Sequence, residues 1–365
     1  PELDMEMAEL VKKQMVRKGV EVLVGEKVLS LIGNAKGDVV EVHTPEHILP
    51  ADLVIWLEDM RPSVEMARKA GIIIGASGAI EVDQYMETNV PGIYAVGSCA
   101  QRIHHITGKP VCLYRQAVDD AVLKVVSENI ASGNSCTLEK GVLGTMSIQA
   151  FDLGMARTGL SLQQAREEGY EVETAIVSVY DDRYAYGGSY RENAVKLMVD
   201  RSNGKILGVQ CVGGVLSDKL VDTVAAVMSM CGTVRYLAVL DVANHFPYSM
   251  NLHPIALVAH VMLNKLKGKF KGISPFELND IMQNEEAILL DVRTGSEFKM
   301  GTLPGAINIP LEELEARKDE LDRQRNIILI SERGRRAYLA YIRLRQMGFE
   351  RLSVLDGGLL LYPFE

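Results

Sequence analysis

LLDVRTGSEFKMGTLPGAINIPLEELEAR, residues 289–317, decides the fold of the C-terminal part of the chain. An apolar run leads into Asp291-Val292-Arg293 and predicts a strand over 287–292. A short helix is expected near 296–300, a second strand over 306–309 and a helix over 311–321. Outward from there, a strand over 326–331, a helix over 335–347 and a strand over 352–355 keep the same alternation. Strands alternating with helices predict a parallel sheet covered by helices, in a unit of about ninety residues.

The residues themselves resemble the first half of a rhodanese domain. That family reads Asp-Val-Arg at the end of a strand, Glu-Phe on a helix, then Gly-His-Ile-Pro-Gly-Ala-x-Asn-Ile-Pro. Asp291, Arg293, Glu297, Phe298, Gly301, Pro304, Gly305, Ala306, Asn308 and Pro310 match, with Thr302 in the histidine position. VLDGG, residues 354–358, resembles the close of the same fold. In a rhodanese a cysteine follows the fourth strand. Backbone N–H groups of the next loop and of the helix start lower its pKa and hold the persulfide. Here that loop reads ISERGRRAY, and Ser331 stands at the cysteine position. The resemblance thus implies an anion loop of Arg333, Gly334, Arg335 and Arg336 with no catalytic residue. A hydroxyl with no general base cannot carry a sulfane sulfur.

Upstream, TNVPGIYAVGSCA (88–100) resembles the second flavin-binding segment of the two-dinucleotide-fold disulfide reductases, T-x-x-P-x-I-Y-A-x-G-D. By that resemblance Gly97 and Ser98 are the cofactor-binding residues, Ser98 replacing an aspartate that bonds the ribityl chain of FAD. An uncharged partner weakens such a contact by about 1–2 kcal/mol. ADLVIWLEDMRPS (51–63) resembles the end of the NAD domain, with Leu57-Glu58-Asp59 in place of an Ala-Thr-Gly turn. Of an Ala-Asn-x-x-Gly-Arg pattern further on, Ala117 alone is kept. FDLGMARTGLS (151–161), KILGVQCVGG (205–214) and SDKLVDTVAAVMS (217–229) resemble the dimerisation region of the coenzyme A-disulfide reductase branch. So does NHFPYSMNLHP (244–254), which implies that Tyr248, together with Tyr186, reaches across a dimer to the substrate thiol. His245 and His253 read as capping or surface residues, and no metal site is expected.

The whole is similar to the C-terminal portion of a coenzyme A-disulfide or persulfide reductase fused to a rhodanese-like domain. The expected fold class is α/β and α+β. It comprises a remnant of two dinucleotide-binding domains, a dimerisation domain of antiparallel sheet plus helices, and a rhodanese-like α/β domain. The implied division is 1–66 (NAD(P)-binding), 67–140 (FAD-binding), 141–264 (dimerisation), 265–273 (linker) and 274–365 (rhodanese-like). FAD, NAD(P)H and coenzyme A are the implied cofactors, a second copy and a low-molecular-weight thiol or persulfide the implied partners. The alternative is a non-catalytic dimeric module that binds a thiol or an anion.

Periodicity predicts a helix over 1–19, with Leu3, Met7, Leu10 and Val11 at helical spacing. Strands are expected at 20–24, 27–31, 39–43 and 92–96, and a fully apolar one at 51–56 reads as buried in a parallel sheet. A helix is expected over 115–131. Antiparallel strands follow at 145–150, 172–180, 194–200 and 206–212, the last two joined by an Asn203-Gly204 hairpin. Helices are expected over 217–230 and 254–266, and KLKGKFKG (265–272) reads as a solvated linker.

A net charge of -9 over 365 residues argues against nucleic acid. No apolar run approaches the length of about eighteen residues that a membrane span needs. Five cysteines without metal spacing read as reduced, mostly small buried residues in a cytoplasm. No G-x-G-x-x-G occurs. A start at Pro1, directly in a helix, leads us to expect a piece of a longer protein.

Overall fold

The computed structural model describes residues 2–57, 60–113, 116–138, 141–180, 192–214, 217–243, 252–284 and 287–362. Two compact units emerge. One comprises Pro1–Lys13, Ile103–Lys109 and Glu139–Glu365, the other Gln14–Arg102 and Pro110–Leu138.

In chain order the front elements are α1 (Met5–Arg17), β1 (Ser30–Gly33), β2 (Val39–His43), β3 (Ile48–Pro50), α2 (Glu65–Lys69), β4 (Arg102–Ile103), β5 (Pro110–Val111) and α3 (Gln116–Ser132). Strands β1, β2 and β3 form an antiparallel meander. Its first turn is built by Asn34, whose Oδ1 accepts from the Lys36 and Asp38 N–H groups at 2.8 and 3.1 Å. The smaller unit's core gathers Val64, Ala67, Ile80, Met86, Ala95, Ala100, Val122 and Val126.

Here the structure departs most from the sequence-based expectation. Residues 20–24 form no strand, and β1 begins only at Ser30. Residues 92–96 make no strand either: Tyr94 forms one isolated bridge, to Glu87. The apolar run at 51–56 is extended but open to solvent, with Leu53 76% and Ile55 75% exposed. An apolar run becomes a buried strand only when neighbours flank it, and no strand among the described residues pairs with 52–56.

The middle region holds β6 (Met146–Ala150), β7 (Leu153–Gly159), α4 (Leu162–Glu167), β8 (Val172–Tyr180), β9 (Glu192–Asp200), β10 (Ile206–Gly213), α5 (Ser217–Ser229), α6 (Val234–Val239) and α7 (Pro254–Leu266). Its sheet runs β6-β7-β10-β9-β8, antiparallel throughout. The β9–β10 hairpin is pinned by Asp200, whose carboxylate accepts from Ser202 N–H at 2.9 Å and Asn203 Nδ2 at 2.9 Å. Strand β9 is buried on both faces. Val195, Leu197 and Val199 join the core with Val221, Val224 and Val258 of α5 and α7, while Ala194 packs with Met7, Ile176, Val212 and Leu361.

That second face carries a polar row. The register sets Gln210 opposite both Arg157 and Lys196. The first residues of the chain answer it with alternate carboxylates. Glu2 meets Arg157 Nη1 at 2.7 Å, and the Asp4 N–H donates to Gln210 Oε1 at 2.9 Å. Lys196 Nζ, fully buried, lies 2.7 Å from both Asp4 Oδ2 and Glu6 Oε1.

The C-terminal elements are β11 (Gly272–Ile273), α8 (Pro275–Asn284), β12 (Ala287–Asp291), α9 (Gly295–Lys299), β13 (Ile307–Asn308), β14 (Asn326–Ile330), α10 (Arg335–Gln346) and β15 (Leu352–Leu355). They build a parallel sheet in the order β11-β15-β14-β12-β13. The helix expected over 311–321 is not formed: the segment buries Leu311, Leu314 and Leu321 through turns and a 3-10 turn at Lys318–Glu320.

The stretch 265–272 is solvated only in part: Lys267, Gly268, Lys269 and Lys271 are exposed, while Lys265 and Phe270 are buried. Phe270 is buried edge-on against Tyr338 and Tyr341, at 5.1 and 6.2 Å between ring centres. Lys265, also buried, donates to Thr174 O at 2.6 Å and to Asp356 Oδ2 at 2.7 Å. Of the free cysteines only Cys211 is buried; Cys99, Cys112 and Cys136 are partly exposed and Cys231 is exposed, against the expectation of mostly buried thiols. No helix among the described residues is long and apolar enough to cross a membrane.

Candidate functional site

Strand β14 delivers Ser331 to the point where the sheet meets α10. Gly334, at φ 86°, turns the chain through the left-handed region, which glycine enters without a Cβ clash. The turn aims two backbone donors at one atom: Ser331 Oγ accepts from Gly334 N–H at 3.1 Å and from Ala337 N–H at 3.2 Å. Among the described residues no imidazole or carboxylate hydrogen-bonds to that hydroxyl. Ser331 is 1% exposed. Such a cradle stabilises negative charge on the atom it holds, and a thiolate would profit from it far more than a neutral hydroxyl.

The frame around the loop is rigid. Asp291, fully buried at the end of β12, accepts from Arg293 Nη2 at 2.7 Å and from Thr302 Oγ1 at 2.8 Å. Thr302, at the position of the family's histidine, therefore serves to anchor a buried carboxylate. Asn308 Nδ2 ties the crossing chains by donating to Asp291 O and Arg293 O, each at 2.9 Å.

The arginines are divided among different partners. Arg336 forks onto Glu297 at 2.7 and 2.5 Å. Glu297 also closes a capping box with Thr294, and the Arg336 bonds first, then Thr294, hold its carboxyl well below the usual range. Arg333 Nε lies 3.5 Å from Glu192 Oε1 of β9, and Arg335 is exposed. Thus two of the three guanidinium groups already face carboxylates. The cluster that sequence reasoning treated as one anion loop is distributed in space.

The flavin-like segment sits in the smaller unit. Gly97, at φ 80°, opens a 3-10 turn over Gly97–Cys99. Thr88 is buried and brackets the preceding bend, its hydroxyl accepting from Val90 N–H at 3.2 Å. The Ser98 carbonyl accepts from Cys112 Sγ at 3.2 Å, and Ser98 itself is exposed. The turn fits one contact of a flavin. The pyrophosphate cradle of a dinucleotide needs a glycine-rich strand-to-helix turn, and no G-x-G-x-x-G is present in these 365 residues.

Tyr186, Tyr248, His245, Glu58 and Asp59 lie outside the described residues. His253 caps α7, its Nδ1 accepting from Ile255 N–H at 3.3 Å. Sequence reasoning missed Glu192 and Lys265. Lys265 had a signal: it continues the buried stripe Ile255, Val258, Met262 along α7, where a charge demands a partner.

Residues 1–111 match the family model of the pyridine nucleotide-disulphide oxidoreductases, residues 146–254 their dimerisation domain, and residues 274–362 the rhodanese-like domain. A CoA-dependent NAD(P)H sulfur oxidoreductase of Pyrococcus furiosus is 32% identical over 259 residues, 71% of this chain and 57% of the relative. An NAD(P)H coenzyme A polysulfide/persulfide reductase of Pyrococcus horikoshii is 30% identical over the same shares of 71% and 57%. The structure of an NAD-dependent persulfide reductase from A. fulgidus superposes with a TM-score of 0.89 at 33% identity. That of reduced Bacillus anthracis CoADR-RHD does so with 0.89 at 28%. Each match covers 99% of this chain and 64% of the solved one. The chain thus spans just over half the length of these curated relatives.

Proposed function

Since the chain belongs to the pyridine nucleotide-disulphide oxidoreductases and carries a rhodanese-like domain, we propose that it supplies the dimerisation, flavin-edge and rhodanese-like parts of an NAD(P)H-dependent reductase of coenzyme A disulfide or persulfide. FAD, NAD(P)H and coenzyme A are the cofactors of this family. On this reading the protein acts as a cytoplasmic homodimer, with domains divided at 66, 140, 264 and 273. Gly97 and Ser98 face the flavin, and Tyr248 and Tyr186 serve the thiol substrate.

By themselves these 365 residues do not turn over, and the rhodanese-like domain transfers no sulfur. The observation that carries this is Ser331, buried under two backbone donors with no base among the described residues to take its proton. Sulfur transfer begins with thiolate attack, and a hydroxyl near neutral pH offers no comparable nucleophile. Incubation with thiosulfate followed by peptide mass spectrometry tests it. The wild-type peptide over 326–340 should gain no sulfur; a persulfide or any sulfur adduct there would overturn the reading. Absorbance near 450 nm tests the other half, since bound flavin would colour the chain.

The alternative, a non-catalytic anion- or thiol-binding module, draws support from the retained cradle of Gly334 and Ala337 N–H groups. Calorimetry with thiosulfate and with coenzyme A separates the two.

A further inference from the structure

The loop that ends in α10 is held from outside its own domain. Lys265 closes α7 of the antiparallel region, yet its ammonium is sequestered among three groups from two other places: Thr174 O at 2.6 Å and Glu173 Oε1 at 3.4 Å on β8, and Asp356 Oδ2 at 2.7 Å just after β15. Room for this pair is left by Gly272. A Cβ there would come within 2.3 Å of Asp356 Oδ1 and 2.7 Å of Lys265 Nζ.

From Asp356 the chain runs directly to the loop. Gly357 and Gly358 both adopt positive φ, 75° and 70°. A Cβ on Gly358 would meet Glu332 O at 2.5 Å and Ser331 O at 2.6 Å, so the two backbones are in close apposition. Two ladder-like bonds fasten them: Leu359 N–H donates to Ser331 O at 3.0 Å, and Leu360 N–H to Glu332 O at 3.1 Å. Leu361 then packs back into the cluster of Met7, Ile176, Ala194 and Val212. A second tether reaches the loop from the side, where Glu192 of β9 faces Arg333.

We propose that Lys265 is a positioning residue for the 331–337 loop, acting from the dimerisation region through Asp356 and the Gly357-Gly358 backbone. Lys265 would hold the loop in the same way whether the loop carries sulfur, binds an anion or does neither. Its physical basis is the cost of a buried charge without its partner: with Lys265 removed, the Asp356 carboxylate either draws in water or moves, and the segment bonded to Ser331 and Glu332 moves with it.

Hydrogen–deuterium exchange on the full chain tests this, comparing wild type with Lys265→Met and Gly272→Ala. The second variant keeps both charges and only wedges them apart, and it carries the comparison should Lys265→Met fail to accumulate folded. We expect exchange in 331–337 and 356–361 to rise by about tenfold or more, while β9 and β12 keep wild-type protection. Lys265→Arg should restore most of it. Unchanged protection of 331–337 in a variant that folds would overturn the proposal. So would a uniform loss across the whole unit, since that would make the pair a general stabiliser rather than a positioning device.

Discussion

The flavin-like turn at Gly97-Ser98 and the rhodanese-like loop at Ser331 each carry serine where the resemblance implies an acidic or nucleophilic group, but they sit in very different frames. Ser331 itself sits in a closed frame. The parallel sheet is flanked by helices, Asp291 is fully bonded, and β14 is buried along Ile327–Ile330. In the smaller unit the apolar run 51–57 lies largely open, with Leu57 89% exposed. A site built on a complete sheet has its shape set by the surrounding strands and helices, whatever residue stands in it. A site whose elements are extended segments and isolated bridges has less to hold it.

The sharpest way to break the comparison is to put a thiol in the cradle. Ser331→Cys should form a persulfide with thiosulfate where the wild-type serine, on the reading proposed above, gains no sulfur, read as an added sulfur on the 326–340 peptide. If the variant folds and gains none, the loop lacks more than a nucleophile. Next in size is packing. Leu290→Ala, at a fully buried position, should cost about 2–5 kcal/mol in urea unfolding, whereas Ile55→Ala should stay within about 0.5 kcal/mol. Equal costs would erase the distinction between the closed and the open frame.

A smaller effect concerns Asp356. Burial pushes its carboxyl up to about 6 from 3.8, with the Lys265 charge opposing and Glu173 and Glu277 adding to the rise. The folded state therefore binds this proton more tightly than the unfolded chain, and its contribution to stability falls as pH rises from about 4 to about 6. In Asp356→Asn the melting temperature should lose that downward slope relative to wild type; identical slopes would remove Asp356 from the account. Smallest is Arg336→Gln, which unties Glu297 at a partly exposed pair and should cost below about 1 kcal/mol. Because Glu297 is depressed in the folded state, that stability is present above the usual carboxylate range and lost in acid. The wild-type advantage over Arg336→Gln should thus shrink on acidification.

Legibility in the sequence followed locality. Helix α7 spans Pro254–Leu266, the range its periodicity marks, because Pro254 starts it and the glycine-rich stretch after it stops it. The Asn203-Gly204 turn was readable for the same reason, and Asp200 completes it from three residues away. The loop sequence showed serine at the position where the resemblance implies a cysteine. It could not tell that Arg333 faces β9 or that Lys265 meets Asp356, since those partners lie far along the chain and a local charge pattern reads as solvated. The run at 51–56 failed for the converse reason: its composition states an appetite for burial, and only a neighbouring strand can satisfy it.

The contacts between residues 2–6 and the row Arg157, Gln210, Lys196 have a consequence for the order of assembly. Asp4 and Gln210 are 206 residues apart, and Glu2 and Arg157 are 155 apart. Loop closure over such spans comes late, after local helices and hairpins exist. During synthesis residues 2–6 must wait until β9 and β10 have emerged before Lys196 can be covered. Until then Arg157 and Lys196 lack these carboxylate partners and the apolar patch around Ala194 and Val212 lacks Met7, so that face of the central strands is most open to mispairing between the making of β10 and the docking of residues 2–6.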